Sequence, residues 1–207
     1  MESVACVDDR RRHMAVVAAT IKVCRLCPGM NIVGETESAP GYGAVDSPLV
    51  LVGQSLCGKP CMDSQIPFTG GSGSLLDAAL QRARIRKPDV FITNVVHCHP
   101  EGNLKSKELW INNCSPYLHL ELKIVQPKVV VGLGDDARDA LQNFYARVPE
   151  EVVHPFRATR TAVPSREVPA VLFTKHPSWI QRQKPERREQ YVDDLASVIK
   201  WAFRRRR

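Results

Sequence analysis

The chain has 207 residues, 43% of them hydrophobic, and a formal net charge of +7, enough for one well-buried domain or two small ones. No apolar run approaches the roughly 20 residues a membrane-spanning helix needs, and the opening MESVACVDDRRRH lacks the apolar stretch of a secretory signal. Composition therefore argues against a membrane protein and a secreted disulfide scaffold; a cytoplasmic chain with reduced thiols is expected, and its basic surplus suits an acidic partner, nucleic acid above all.

In chain order, a helix is predicted over 8–24, ending at Cys24, which with Cys27 forms a C-x2-C followed by Pro28. A short run of branched apolar residues at 49–53 reads as a strand buried on both faces. The stretch GQSLCGKPCMDSQIPFTGGSGSLL (53–76) reads as a long loop of small residues around an isolated aromatic, Phe68, leading into a helix over 72–85. Strands follow at 90–94, 128–132 and 170–174, with helices over 106–124, 135–146 and 185–203. In the last helix Tyr191, Leu195, Val198, Ile199 and Ala202 recur at core spacing. The segment 147–168, rich in Pro and Arg, reads as an irregular excursion, and 204–207 as a basic tail. Strands alternating with helices imply an α/β class fold: a single α/β/α domain over 1–207, with a central four-stranded parallel sheet and right-handed crossovers. The functional loops of such a sheet gather beyond the strand C-termini, where Gln54, Asn94 and His176 lie.

Seven cysteines are many for a reduced chain. Cys24 and Cys27 as a close pair, with Cys98 and Cys114 further on, have the spacing of a four-thiolate site, open to zinc or to an iron–sulfur cluster. Cys57 and Cys61 are expected to be pocket-lining or free thiols.

The order CRLCP, LVLVGQS, IPFTGGSGSLL, ITNVVHCHPEGN, a later cysteine and TKHPSW resembles the uracil-DNA glycosylase superfamily, closest to its iron–sulfur family 4 branch, across about residues 20–200. The resemblance implies a structural 4Fe–4S cluster on Cys24, Cys27, Cys98 and Cys114, with zinc as the alternative. It also implies DNA as partner and removal of a flipped-out base. Phe68 then stacks on the base, or else anchors the core. Asn94 reads its Watson–Crick edge, an amide pattern that suits uracil one way round and cytosine the other. His176 of the HPS motif donates a hydrogen bond to the departing base, or else caps the turn before Pro177. Ser178, Trp179 and the nearby Gln181 and Arg182 are expected to form a loop that contacts DNA, unless Trp179 is packing.

The first motif departs from the family. Where the family has a glutamate after the glycine, this chain has Gln54, followed by Ser55 as a further candidate for base binding, and its loop to Pro67 is one residue longer. Asp63 is the one acid in that loop and the candidate replacement for the missing carboxylate. Pro60 or Cys61 falls near the position of the acid that helps family 4 shut out a 5-methyl group. Three readings follow: a monofunctional glycosylase for uracil or a related pyrimidine, a defence glycosylase for a bulky 5-substituted pyrimidine, and a non-catalytic iron–sulfur DNA-binding relative. The protein is expected to act as a monomer.

If the basic surplus is a DNA footprint, affinity for DNA must fall steeply between low and physiological salt as released counterions lose their advantage. A fluorescence-anisotropy titration across that range measures the slope, and a flat response removes the electrostatic footprint.

Overall fold

The computed structural model describes residues 6–145, 150–152, 166 and 169–204. In chain order they form α1 (Val7–Val23), β1 (Leu49–Ser55), α2 (Lys59–Ser64), α3 (Gly73–Ala83), β2 (Phe91–Val96), α4 (Glu108–Val125), β3 (Val129–Leu133), α5 (Asp135–Phe144), β4 (Glu150–Val152), β5 (Ala170–Thr174), α6 (Pro177–Ile180) and α7 (Pro185–Ala202). The four expected strands are present and parallel in the order β2-β1-β3-β5. One strand was not expected: β4, three residues long and parallel to the outer edge of β5, falls inside the segment read as irregular. Its sequence, Glu-Glu-Val, has no apolar run to announce it, as suits a short charged edge. Apart from Arg166, the remainder of 147–168 lies outside the described residues, as do the last three arginines of the expected basic tail.

Successive strand residues point to opposite faces, and here both faces are covered. Leu49, Leu51, Val129, Val131 and Leu172 pack with Leu76 and Leu80 of α3 and Leu195 and Ile199 of α7. Val50, Val52, Val130, Val171 and Phe173 pack with Met14 of α1, Leu118 and Leu122 of α4 and Leu141 of α5. This two-sided burial is why the strands read as continuous apolar runs. From β1 the chain first goes to β2 on one side, then crosses back to β3 on the other. A crevice therefore opens beyond the C-terminal ends of β1 and β3, the usual ligand position in such sheets.

Two boundaries matter for that crevice. β1 runs on through Gln54 and Ser55, and β2 continues to Val96, so Asn94 sits within its strand, opposite Gly53, and does not end it. The stretch read as a loop also contains α2, begun by Gly58 with Pro60 in its first turn and closed by Gln65 in a left-handed conformation. Proline suits a first turn, where its missing N–H has no partner to lose. Cys57 and Cys61, expected as pocket-lining or free thiols, are joined in a disulfide. The turn of the chain into α2 brings their Cα atoms to 5.6 Å, inside the bridging range.

The free edge of β2 is sealed by the segment before β1. Tyr42 and Ile92 exchange backbone hydrogen bonds of 2.9 and 2.8 Å, and Ala39 N–H donates to His97 O at 3.0 Å. Behind this seal lies a buried polar group. Glu121 of α4, 0% exposed, accepts from Thr93 Oγ1 at 2.5 Å and from the Gly41 N–H at 2.8 Å. His97 Nε2 lies 3.2 Å from the same carboxylate. Burial alone would hold His97 down, but the carboxylate overrides it and pushes the imidazole up to about 10.

A Cβ at residue 41 would lie 2.5 Å from the Phe91 ring and 2.8 Å from Glu121 Oε1, both in fully packed surroundings. Gly41→Ala is expected to lower the unfolding free energy by about 1–3 kcal/mol, the cost of overpacking, read as a drop in the urea midpoint.

Candidate active site

At the crevice lies a cavity of about 410 Å³ whose lining includes Gln54 and Ser55 from β1, Phe68 and the Thr69–Ser72 turn before α3, Asn103, and His176, Ser178, Gln181 and Arg182 around α6. Three chain segments far apart in sequence meet there because β1 and β5 flank β3.

Phe68 is held in a backbone conformation that non-glycine residues rarely adopt, φ 58°. Its carbonyl accepts from Lys87 Nζ at 2.8 Å, and its ring is 5% exposed. Stacking platform and core anchor turn out to be compatible: the ring belongs to the core cluster and also lines the cavity. What lets it lie so close to the sheet is Gly53, where a Cβ would come within 2.5 Å of the Phe68 ring. A Cβ there would also press on the Asn94 amide, which lies on the neighbouring strand directly opposite. Asn94 is 2% exposed and its Oδ1 is buried with no hydrogen-bond partner among the described residues. A buried acceptor left open costs free energy, and a ligand donor placed beside Phe68 would satisfy it.

His176 ends the loop after β5. Its Nδ1 accepts from the Ser178 N–H at 3.2 Å and faces the Ser178 hydroxyl at 2.7 Å. With Nδ1 occupied as an acceptor, the neutral ring carries its proton on Nε2. Burial holds the imidazole below its ordinary range, with the Asp136 carboxylate partly opposing the shift. His176 therefore also caps α6, and the same bond that caps the helix fixes the tautomer. Its ring lies 6.0 Å from that of Phe68, centre to centre. Gly134, φ 101°, lets the ring in: a Cβ there would lie 3.0 Å from His176 Cβ.

Of the other expected residues, Gln54, Ser55, Ser178 and Arg182 line the cavity. Trp179 does not; it is 39% exposed beside the cavity mouth, with the Arg187 guanidinium 4.7 Å over its ring. Asp63 is not brought to the site. It projects from α2 into solvent and pairs with Lys59 at 3.1 Å, one helical turn away; among the described residues no carboxylate lines the cavity. Gln181, expected in the DNA-contacting loop, joins it, and so does one amide that was not expected there, Asn103. Asn103 follows the strand in a left-handed turn with Gly102, and this adjacent pair of turn-formers is the one signal the sequence carried. Gln181 donates to Gly71 O at 2.6 Å and lies 3.2 Å from Ser74 Oγ, latching the α6 loop onto the glycine turn. Cys57 lines the wall as expected.

On the far side of β2, Cys24, Cys27, Cys98 and Cys114 are free thiols. Cys98 is pushed up to about 12 by burial first, then by the charges of Cys114, Cys24 and Cys27. Cys27 is raised by burial, with Asn113 opposing, and further by Cys114 and Cys24. The four thiols thus lie within electrostatic reach of one another, an arrangement of mutual thiolate repulsion that bound metal relieves. Among the described residues, no three His, Cys, Asp or Glu side chains converge as a group that could hold a metal ion.

The model of the uracil DNA glycosylase superfamily matches residues 40–199. A type-4 uracil-DNA glycosylase of Pyrobaculum aerophilum is 31% identical over 85% of this chain and 88% of the relative. That of Archaeoglobus fulgidus is 28% identical over 88% and 89%, and that of Thermotoga maritima 33% over 62% and 65%.

Because the folded pKa of His176 is depressed, the folded state favours the neutral ring. That contribution is fully present above the ordinary value of about 6.5 and is lost as pH falls below it. A ¹⁵N-resolved NMR titration should give a midpoint below about 6.5 and the Nε2–H tautomer at neutral pH.

Proposed function

The chain belongs to the uracil DNA glycosylase superfamily, and from that premise we propose that the cavity takes a uracil flipped out of DNA and releases it by hydrolysis of the N-glycosidic bond. The observation that carries this reading is the buried, unpartnered Oδ1 of Asn94 under the Phe68 ring. Uracil N3–H is a donor and its O4 an acceptor, the complement of a carboxamide. Phe68 supplies the stacking face, and the flip is required because the reacting bond is unreachable inside a duplex.

As the bond breaks, negative charge gathers on the departing base and positive charge on the sugar. The Nε2–H of a neutral, buried His176 is set to donate to the base as that charge develops, and it costs no reorganisation because Ser178 already fixes the ring. Gln54, on the cavity wall, orients the attacking water by hydrogen bonding. With no carboxylate among the described lining residues, the reaction depends on leaving-group stabilisation more than on activation of water. Ser178 and Arg182 at the mouth contact the DNA backbone, with Trp179 beside them. No lysine among the lining residues is available for Schiff-base chemistry, so the product is an abasic site. The protein works as one domain and as a monomer. Cys24, Cys27, Cys98 and Cys114 hold a 4Fe–4S cluster, which when bound ties the 24–38 segment to α4 as a structural staple.

One observation favours a second substrate reading. Pro60 and Gly70 stand together in the cavity wall, near the position where the family places the acid that excludes a 5-methyl group. A wall so built accepts a pyrimidine with a larger 5-substituent.

The test is single-turnover incubation with oligonucleotides carrying uracil, thymine or a bulky 5-substituted pyrimidine, scored as alkali-labile sites. Release of uracil is expected. His176→Ala should lower the rate about 10²–10³-fold with little change in substrate affinity. Cleavage confined to the 5-substituted base selects the second reading. Full activity of His176→Ala on the proven substrate removes the leaving-group role.

A further inference from the structure

The peptide group between Phe68 and Thr69 is bonded at both ends by residues that do not line the cavity. Its carbonyl oxygen accepts from Lys87 Nζ at 2.8 Å, and its N–H donates to Cys61 Sγ at 3.3 Å. The two partners come from opposite sides of Phe68 along the chain. Lys87 stands in the single turn Lys87–Asp89 that leads into β2, and Cys61 in the first turn of α2, bridged to Cys57. Of these three side chains only Cys57 lines the cavity.

Both partners are themselves held. Lys87 Nζ also meets Asp77 Oδ1 of α3 at 3.0 Å, the lysine side chain being 20% exposed and the aspartate half exposed. Cys61 is fully buried in a small cluster with Ala39, Leu56 and Met62. The Phe68 carbonyl lies hard against the start of α3, where a Cβ at Gly73 would come within 1.9 Å of its oxygen. An ionised donor makes the stronger kind of hydrogen bond, so the lysine is the firmer of the two holds.

Holding both ends of this peptide matters because Phe68 has φ 58°. A residue with a side chain seldom adopts that conformation and keeps it only where its surroundings enforce it. Rotation of the peptide plane would take the oxygen from Lys87 and the N–H from Cys61 together. Whatever fixes the plane also fixes the direction in which the Phe68 ring leaves the backbone, against Gly53 and the Asn94 amide.

We propose that Lys87 and Cys61 are positioning residues for the reaction. Together they clamp the Phe68–Thr69 peptide and so set how tightly the flipped base is held, while cleavage of the glycosidic bond is left to His176. Asp77 anchors the lysine. The inference rests on the base-binding reading given above.

The experiment measures affinity for an oligonucleotide carrying the hydrolysis-resistant 2′-fluoro analogue of the nucleoside whose base wild type releases, against unmodified control DNA. Single-turnover rates at saturating protein are measured in parallel. Lys87→Met leaves only the half-exposed Asp77 without its partner, so the fold is expected to survive. Its affinity for the analogue should fall about 10-fold, the scale of partial loss of one stacking contact. Its saturating rate and its affinity for control DNA should stay near wild type. Lys87→Arg keeps a charged donor and should restore most of the lost affinity. Cys61→Ser and Cys61→Ala both open the bridge, but serine still offers an acceptor to the Thr69 N–H and should bind the analogue more tightly than alanine. That pair decides the matter if Lys87→Met fails to fold. Unchanged analogue affinity in Lys87→Met, a loss confined to its rate, or equal affinities of the two Cys61 variants overturns the clamp. Wild type that releases no base and binds no pyrimidine analogue above control DNA overturns the base-binding reading itself.

Discussion

Where any other residue would carry a carbon, position 53 carries a hydrogen, and the ring of Phe68 occupies the space so left. Both sides of the cavity depend on that contact. The ring can reach the sheet only because its backbone accepts a left-handed conformation, a local cost of order 1–3 kcal/mol that only surrounding structure can hold. The Lys87 bond to its carbonyl and the Gly70–Gly73 turn provide that hold. Asn94, one strand over, is then shut beneath the ring with its acceptor open, so the strained loop and the open amide are two parts of one arrangement.

The sheet that supports this contact is rigid for a different reason on each face. Toward α3 and α7 it packs against a cluster of apolar side chains, among them Leu76, Leu80, Leu195 and Ile199. Toward α4 it contains the Thr93–Glu121–His97 group, with the Gly41 N–H filling the remaining position. Removing one member of a buried charged pair strands the other, at a cost of about 3–5 kcal/mol, so the group locks β2 against α4 in one register. Asn94 follows Thr93 on that strand, and His97 comes just after its end. The strand that carries the Asn94 amide and the buried His97 ring are therefore fixed by the same few bonds.

On the opposite wall, the loop after β5 is set by short-range bonds that cross between segments. Ser178 caps and orients His176 in one contact, Gly134 admits the imidazole, and Gln181 ties α6 to the turn after Phe68. These three contacts bring the His176 ring to 6.0 Å from the Phe68 ring, centre to centre, in a tilted arrangement.

The four central strands, the helices between them, the cysteine set and the Phe68, Asn94 and His176 positions were legible in the sequence, because each rests on a local pattern: an apolar run, a helical period, a short spacing or a contiguous motif. The short charged strand β4, the place of Asn94 inside its strand, the Cys57–Cys61 bridge and the turn of Asp63 into solvent were not. Neither was the arrival of Asn103 at the cavity. Local pattern fixes which residues form an element and which face of it is buried. Which strand ends become neighbours follows from the order β2-β1-β3-β5, and only that order brings residues 53, 68, 94, 103 and 176 to one crevice, because contacts across such separations are made by packing and not by spacing along the chain.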